Sequence, residues 1–361
     1  MPELGITQLI LGFLLLLTPV VYFHELGHYW MARKAGVIVE VFSIGFGPEI
    51  YGWTSKQTGT RWRIAAIPLG GYVKMRGDED PASIPSEAAK QAPGSFMGAP
   101  LGWRIGIVLG GPVANFILGI LLFALVYMTA GKQILPAEIG EVIPQTAAAE
   151  AGLKTGDLVT EIDGFSIRDF NDMRGLVIES PGKELRFTIE REGREIDLLV
   201  TPMSRFNESL KMNIGLLGVR SIPGGERERM LPGSALVAAA SDAFHMSLLI
   251  LRGLARLGSG QMQSGEIQGP VGIAKISGSA LQQGIIPFIL LTAIISINLG
   301  LINLLPVPAL DGGHLVFFIY EAVRGKPLPL AVQAVLMRGG IAILMALMLF
   351  LIIFDVNRLF Q

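Results

Sequence analysis

Apolar residues are concentrated in four long stretches, separated by segments of mixed polarity. The stretches cover about residues 6–30, 104–130, 284–306 and 330–354, and consist mainly of Leu, Ile, Val, Ala, Phe and Gly. A transmembrane helix needs about 20 consecutive, predominantly apolar residues. The pattern therefore predicts about four membrane-spanning helices, the last of which either contains Arg338 or begins after it.

The composition supports an integral membrane protein. Of the 361 residues, 51% are hydrophobic and only 16% are charged, whereas a soluble protein has about 25% charged residues. A net charge of −1 without a basic block gives no indication of nucleic acid binding. The chain has no cysteine, so any metal must be held by histidine and carboxylate side chains.

The distribution of Lys and Arg predicts the orientation of the spans. The first and third connections contain the basic residues Arg33, Lys34, Lys56, Arg61, Arg63, Lys74, Arg76, Lys90, Arg324 and Lys326. Connections that are rich in Lys and Arg stay in the cytoplasm. We therefore expect the long loop 131–283 and both termini to be extracytoplasmic.

The first connection contains an unusual β-rich region at 36–77. Residues 37–44 and 61–67 have strand-like composition, and glycines at Gly45-Phe46-Gly47 and Gly70-Gly71 are expected to interrupt the strands. The pattern predicts short membrane-associated strands whose edge could hold a substrate backbone extended. A plain solvated sheet is the alternative interpretation.

A metal-binding motif, H-E-x-x-H, lies at the end of the first span. On a helix, His24 and His28 are four residues apart and share one face. Two imidazoles placed in this way can occupy two corners of a zinc site, and Glu25 can act as general base. Ionisable groups are costly within a membrane, which favours a functional interpretation.

A third ligand is predicted at Asp311, which follows the third span at a break containing two prolines and two glycines. The first and third spans both run inward, so both motifs fall near the cytoplasmic side. His24, His28 and Asp311 would complete a Zn²⁺ site with one open position. His314 could support this site from behind, or it could have a structural role.

The extracytoplasmic loop contains a compact α+β module. Strands are predicted at 138–143 and 158–162, followed by a helix that Asp169 caps and by a strand pair around Glu192-Gly193. The pattern A-G-L-x-x-G-D-x-V-x-x-I-D-G, starting at Ala151, resembles bacterial PDZ domains. That resemblance implies a peptide-binding groove between a strand and the longer helix.

The segment after this module contains a further apolar helix at 231–258. Asp242, His245, Arg252 and Arg256 argue against a membrane span there. We predict an amphipathic helix that lies on the membrane or packs under the module.

Together these motifs resemble the site-2 protease family of intramembrane zinc metalloproteases, of the bacterial regulator-of-sigma-E type. The resemblance rests on H-E-L-G-H in the first span, N-x-x-P-x-P-x-L-D-G-G after the third, and the intervening PDZ module. Further matching stretches are G-F-G at 45–47, G-P-V-A-N at 111–115 and G-P-V-G-I at 269–273. One PDZ module is visible, whereas the best-known enterobacterial member has two.

The resemblance implies that His24, His28 and Asp311 bind Zn²⁺ and that Glu25 is the general base. Asn303 corresponds to a residue that contacts substrate, and it could hold the substrate backbone or stabilise the oxyanion. The implied substrates are single-span membrane proteins of the anti-sigma factor type and remnant signal peptides. The implied location is the lipid bilayer of the bacterial inner membrane.

The predicted fold is a polytopic α-helical membrane protein with a membrane-associated β region and an inserted extracytoplasmic α+β PDZ domain. In chain order, the predicted parts are 1–35, the first transmembrane helix with the zinc motif; 36–77, the β region; 78–100, a cytoplasmic linker; 101–131, the second transmembrane helix; 132–210, the PDZ domain; 211–283, an extracytoplasmic amphipathic helix and connecting segment; and 284–361, the third and fourth transmembrane helices with the third zinc ligand.

The sequence leaves two alternatives to proteolysis. One is a non-catalytic membrane scaffold that presents a PDZ module and keeps a vestigial metal site. The other is an ion or metal transporter, but a transporter explains neither the glutamate of H-E-x-x-H nor the PDZ module. If the protein is a protease, the module could serve as a size filter or as a docking site.

Overall fold

The computed structural model describes residues 5–77, 92–133, 135–167, 169–178, 180–207, 212–222, 227–258 and 269–359. Most of the linker predicted at 78–100 therefore lies outside the described residues. The described residues form two compact units. The membrane unit falls within Met1–Val126, Ala235–Ile250 and Ser264–Gln361, and the PDZ unit within Tyr127–Ser234 and Leu251–Gln263.

The helices of the described residues, numbered in chain order, are α1 (Ile6–Lys34), α2 (Leu101–Thr129), α3 (Ala147–Glu150), α4 (Phe170–Ile178), α5 (Pro232–Gly258), α6 (Pro270–Gln283), α7 (Ile285–Asn303), α8 (Asp311–Arg324) and α9 (Leu330–Leu359). The strands are β1 (Val39–Thr54), β2 (Arg61–Met75), β3 (Lys132–Gln133), β4 (Ile139–Val142), β5 (Leu158–Ile162), β6 (Phe165–Ser166), β7 (Leu185–Arg191), β8 (Arg194–Val200), β9 (Met203–Asn207), β10 (Met212–Leu216), β11 (Val219–Ser221) and β12 (Arg227–Glu228).

Five helices among the described residues are long and apolar enough to cross a membrane, one more than the sequence predicts. Four of them coincide with the predicted spans. The fifth is Pro232–Leu251, whose mean hydropathy of 1.6 is lower than the 2.1 to 2.5 of the others. By length and hydropathy this helix is thus sufficient to be a span. The sequence prediction excludes it as a span because of Asp242, His245, Arg252 and Arg256.

The membrane unit is held together by α1, which packs against α6, α7 and the β1–β2 sheet. Leu16 of α1 is fully buried and packs with Ala280 of α6 and Phe288 of α7. A helix that is apolar all round can be buried on several sides. This packing makes α1 the central element of the unit.

Strands β1 and β2 form one continuous sheet rather than several short strands. Residues 41–44 pair with 71–74 on one side and with 61–64 on the other, so each strand folds back on itself. The glycines expected to end the strands instead lie within them. Gly45 and Gly70 have φ values of 89° and 145°, which bend the strands without ending the pairing.

The PDZ unit has a four-stranded sheet in the order β6-β5-β7-β8, with antiparallel pairing throughout. Its two-residue turns, Asp163-Gly164 and Glu192-Gly193, have positive φ at both positions, as the favoured turns of β-hairpins require. Asp169 Oδ1 accepts hydrogen bonds from the backbone N–H groups of Asn171 and Asp172. The predicted cap of α4 is therefore confirmed.

The core of this module extends past the predicted boundary at residue 210. Strand β11 pairs with β4, and Leu217, which is 5% exposed, belongs to the same cluster as Phe187 and Ile189. This strand is only three residues long, which is too short to show the alternation that predicts a strand. The structured module therefore reaches Ser221.

Candidate active site

Helix α1 carries the H-E-x-x-H motif in its C-terminal half. His24, Glu25 and His28 are each 8% exposed. Nε2 of His24 and Nε2 of His28 lie 3.2 Å apart, because residues four positions apart share one face of the helix. The two imidazoles point into the membrane unit rather than away from it.

Asp311 is the first residue of α8, after the segment that follows α7. Its Oδ2 lies 3.3 Å from Nε2 of His24, and its Oδ1 lies 3.5 Å from Nε2 of His28. All three ligand atoms lie within 4.8 Å of one another. The structure thus brings together the three residues predicted as metal ligands from two distant parts of the chain.

The spacing of these atoms fits a zinc ion. Two ligand atoms about 2.0–2.1 Å from zinc at tetrahedral angles are roughly 3.4 Å apart. The two histidine nitrogens are 3.2 Å apart, and they lie 3.3 and 3.5 Å from different oxygens of Asp311. Asp311 Oδ2 is also buried without a hydrogen-bond donor among the described residues. A buried carboxylate oxygen needs a partner, and a cation would supply one.

The ring orientation of His28 is fixed by α2. Its Nδ1 lies 2.8 Å from the backbone carbonyl of Ile107, which can only accept a hydrogen bond. Nδ1 therefore carries the proton, and Nε2 presents its lone pair towards Asp311 and His24. Such a backbone acceptor behind a metal-binding histidine sets its tautomer.

Close approach between α1 and α2 depends on glycine. A Cβ atom on Gly27 would meet the backbone carbonyl of Gly110, and a Cβ on Gly111 would meet both histidine rings. The nearest ring atoms to that second Cβ are Nε2 and Cε1 of His28 and Cε1 of His24. Any larger side chain at 111 would therefore displace the rings.

Helix α8 is attached to α2 by a buried ion pair. Nη2 of Arg104 lies 2.6 Å from Oε1 of Glu321, and Nη1 lies 3.1 Å from Oε2. The Arg104 guanidinium also lies over the ring of Phe318, 5.1 Å from its centroid. Bidentate geometry and burial make this contact directional, so it helps to fix the helix that begins at Asp311.

Two other predicted residues lie at different distances from the cluster. Nδ2 of Asn303 is 3.3 Å from Nε2 of His24, so this amide reaches the ligand atoms. His314 lies outside the three-residue cluster, and its ring makes an edge contact with Phe317. The predicted roles of both residues remain predictions.

Glu25 lies against the β1–β2 sheet at Gly71. A Cβ atom on Gly71 would be 3.0 Å from Cγ of Glu25 and 3.0 Å from Val21. Residues 71–74 pair with 41–44 on one side, and no second partner strand is present among the described residues. This edge strand therefore passes close to the predicted general base at Gly71.

Sequence reasoning missed one polar contact of the site. Asn115 of α2 is fully buried, and its side-chain amide lies 3.3 Å from Nδ1 of His24. An amide side chain within an apolar span is costly unless it has a partner. That signal in the G-P-V-A-N stretch could have singled out this residue.

Comparison with known proteins identifies the family. The profile described as Peptidase family M50 matches residues 12–347. The chain belongs to peptidase family M50. This match covers nearly the whole chain and confirms the family predicted from the sequence. Proteases of the M50 family depend on zinc, so the predicted cofactor is confirmed as well.

Relatives of this M50 chain are similar over almost their full length. The metalloprotease MmpA of Caulobacter vibrioides is 39% identical and covers 98% of this chain and 97% of its own. The zinc metalloprotease RasP of Geobacillus kaustophilus is 31% identical, with 97% and 98% covered. The family and the apolar helices together identify a membrane metalloprotease with protein substrates.

Solved structures of PDZ domains resemble a part of this chain. The PDZ domain of the SdrC-like protein of Listeria monocytogenes is 19% identical and covers 24% of this chain and 85% of its own, with a TM-score of 0.21. Assignment of a PDZ module rests on the sequence pattern at 151–164 and on the strands and helix that were predicted around it.

Proposed function

We propose that this protein hydrolyses peptide bonds within or near the transmembrane segment of single-span membrane proteins. The observation that carries the proposal is the convergence of His24, His28 and Asp311 to within 4.8 Å of one another. The two histidines and Glu25 lie on a helix apolar enough to span a bilayer. Such a site combines metal ligands, a base and lipid surroundings.

The three ligands would hold zinc through Nε2 of each histidine and a carboxylate oxygen of Asp311. Zinc supplies Lewis acidity, which activates water and polarises a carbonyl group. Glu25 is the group that accepts the proton of the attacking water and returns it to the leaving amine. Its burial at 8% exposure limits competing access by bulk solvent.

Substrate binding would use the sheet edge and Asn303. A helical substrate hides its backbone, so it must unwind before hydrolysis. The free edge of residues 71–74 can add an extended substrate strand through backbone hydrogen bonds. The amide of Asn303, which already reaches His24, is placed to donate a hydrogen bond to the substrate backbone or to the developing oxyanion.

We place this protein in the bacterial inner membrane, with the active site near the cytoplasmic side and the PDZ module and both termini outside. The Lys and Arg distribution supports this orientation. Because the chain lacks cysteine, Pro85→Cys and Ser180→Cys should report it directly. We expect labelling of position 85 only from the cytoplasm and of position 180 only from outside; the reverse pattern would refute the orientation.

The physiological substrates proposed here are anti-sigma factors already trimmed outside the membrane, and remnant signal peptides. The deciding experiment is cleavage of a single-span substrate by the purified protein in detergent, with zinc content measured in parallel. We expect Glu25→Gln to retain zinc and to lose cleavage by about 10³-fold or more. Cleavage by this variant at a near wild-type rate would exclude Glu25 as the base.

A further inference from the structure

Asn115 stands out among the buried polar side chains of the membrane unit. It lies near the middle of α2, which is mainly apolar, and it has no exposed surface. Its backbone carbonyl accepts a hydrogen bond of 2.8 Å from Oγ of Ser296 on α7. That contact involves only the backbone, so it does not explain why the side chain is an amide.

The side-chain amide faces His24 from behind the metal-ligand cluster. One end of the amide lies 3.3 Å from Nδ1 of His24, on the opposite side of the ring from Nε2, which faces Asp311. A histidine that binds a cation through Nε2 carries its remaining proton on Nδ1. The group that faces Nδ1 must therefore accept a hydrogen bond.

Only one of the two amide orientations meets this requirement. With Nδ2 towards the ring, two donors would face each other, and Oδ1 would be left buried without any donor among the described residues. With the amide rotated by 180°, Oδ1 accepts the Nδ1–H hydrogen bond and gains the donor it lacks. Both orientations fill nearly the same volume, so the rotation costs no packing.

We propose that Asn115 is a positioning residue that accepts a hydrogen bond from Nδ1 of His24 and so holds Nε2 ready for zinc. This inference rests on the proposed ligand set. The same arrangement occurs at His28, whose Nδ1 donates to the carbonyl of Ile107. Helix α2 thus orients both histidines, one through its backbone and the other through Asn115.

The test compares side chains that can and cannot accept this hydrogen bond. Asn115→Leu keeps the volume and removes the acceptor, Asn115→Ala removes both, and Asn115→Asp keeps an acceptor of similar size. Ser296→Ala serves as the packing control, since it removes the neighbouring contact to the Asn115 backbone alone. Zinc affinity of each purified full-length variant is measured by competition with a chelator, without substrate.

We expect Asn115→Leu and Asn115→Ala to weaken zinc binding by about 10- to 100-fold, the usual effect of losing a group that orients a ligand. Asn115→Asp should bind zinc at least as tightly as the wild type, and Ser296→Ala should match it. Unchanged affinity in Asn115→Leu would overturn the proposal, and so would an equal loss in the Leu and Asp variants. If Asn115→Ala fails to fold, the comparison of Asn115→Leu with Asn115→Asp still tests the proposal.

A second readout separates orientation from general damage. The chain has four histidines, so ¹⁵N-histidine spectra of the zinc-free protein can be assigned with a His24→Gln variant. Wild type and Asn115→Asp should show His24 with its proton on Nδ1, whereas Asn115→Leu should shift it towards Nε2. An unshifted tautomer in the Leu variant would overturn the proposal even if proteolysis is confirmed.

Discussion

The PDZ module depends mainly on local sequence signals, whereas the metal centre depends on contacts between segments far apart in the chain. In the PDZ module, each element follows from a local signal: hairpin turns at Asp163-Gly164 and Glu192-Gly193, a cap at Asp169, and a buried cluster on one sheet face. At the metal centre, His24 and Asp311 are far apart in sequence, and their side chains meet only because the helices pack closely.

The difference shows where each region tolerates change. Replacement of an exposed turn or strand residue in the module should lower the free energy of unfolding only by the contribution of that residue's own local contacts. By contrast, the histidine rings are held by contacts from α2, and a side chain at Gly111 would collide with both rings. Small changes on α2 should therefore alter the metal site without touching a ligand.

Removal of Asp311 should have the largest effect. Asp311→Ala should lose both zinc and cleavage, because two histidines alone hold the metal weakly. The PDZ unit should keep its fold. Bound metal is measured by mass spectrometry and the module by hydrogen exchange of β5 and β7; full zinc occupancy in this variant would mean that the third ligand lies elsewhere, with His314 as the next candidate.

The second-largest effect should come from adding a methyl group at Gly111 on α2. Gly111→Ala would place a Cβ against both histidine rings and should reduce zinc affinity by about 100-fold or more. Gly102→Ala on the same helix is the matched control, since a Cβ there meets nothing within 4 Å. Equal zinc affinity in both variants would contradict the close contact between Gly111 and the rings.

Deletion of the module should change substrate preference rather than zinc binding. Because β11 pairs with β4, the deletion has to run from 136 to 221 rather than end at the predicted boundary. If the module is a size filter, which we favour, the deleted enzyme should cleave full-length and trimmed substrates at similar rates.

A docking role predicts a different result for the same deletion, namely slower cleavage of the trimmed substrate. The measurement is the ratio of cleavage rates for one substrate in its full-length and trimmed forms. An unchanged preference for the trimmed form at an undiminished rate would exclude both roles.

The smallest effect on catalysis should come from the buried ion pair of the module. Asp157 accepts hydrogen bonds from Arg191 at 2.6 Å and from the backbone of Lys154 at 2.7 Å. The hydrogen bond with Asp157 raises the pKa of Arg191. Asp157→Ala should destabilise the module by about 1–3 kcal/mol, because the partly buried N–H of Lys154 loses its acceptor and Arg191 loses its partner. Zinc affinity should not change.

The control for that variant is Glu141→Ala, which breaks an exposed pair with Arg220. An exposed ion pair contributes about 0–1 kcal/mol, so this variant should unfold close to wild type. Hydrogen exchange of β5 and β7 in the intact chain gives both stabilities. Equal protection in the Asp157 and Glu141 variants would refute a special role for the buried pair.

The sequence by itself determined the elements whose signals are local. Apolar length predicted four helices that the structure contains, the periodicity and turn residues predicted β5, β7 and β8 to within a residue, and H-E-x-x-H placed His24 and His28 on one helical face. These predictions need only the geometry of a single helix or hairpin, which the chain specifies over a few residues.

Tertiary structure alone decided the features that depend on distant contacts. The continuous β1–β2 sheet, the pairing of β11 with β4, the Arg104–Glu321 pair and the position of Asn115 behind His24 all join segments that no local pattern relates. Backbone hydrogen bonds and close helix contacts can form between many residue types, so the sequence does not reveal where they occur. For that reason the three residues that cluster at the candidate metal site could be named from the sequence, whereas the contacts that orient the histidines could not. An amide within an apolar span marked Asn115 only as a residue that needs a partner.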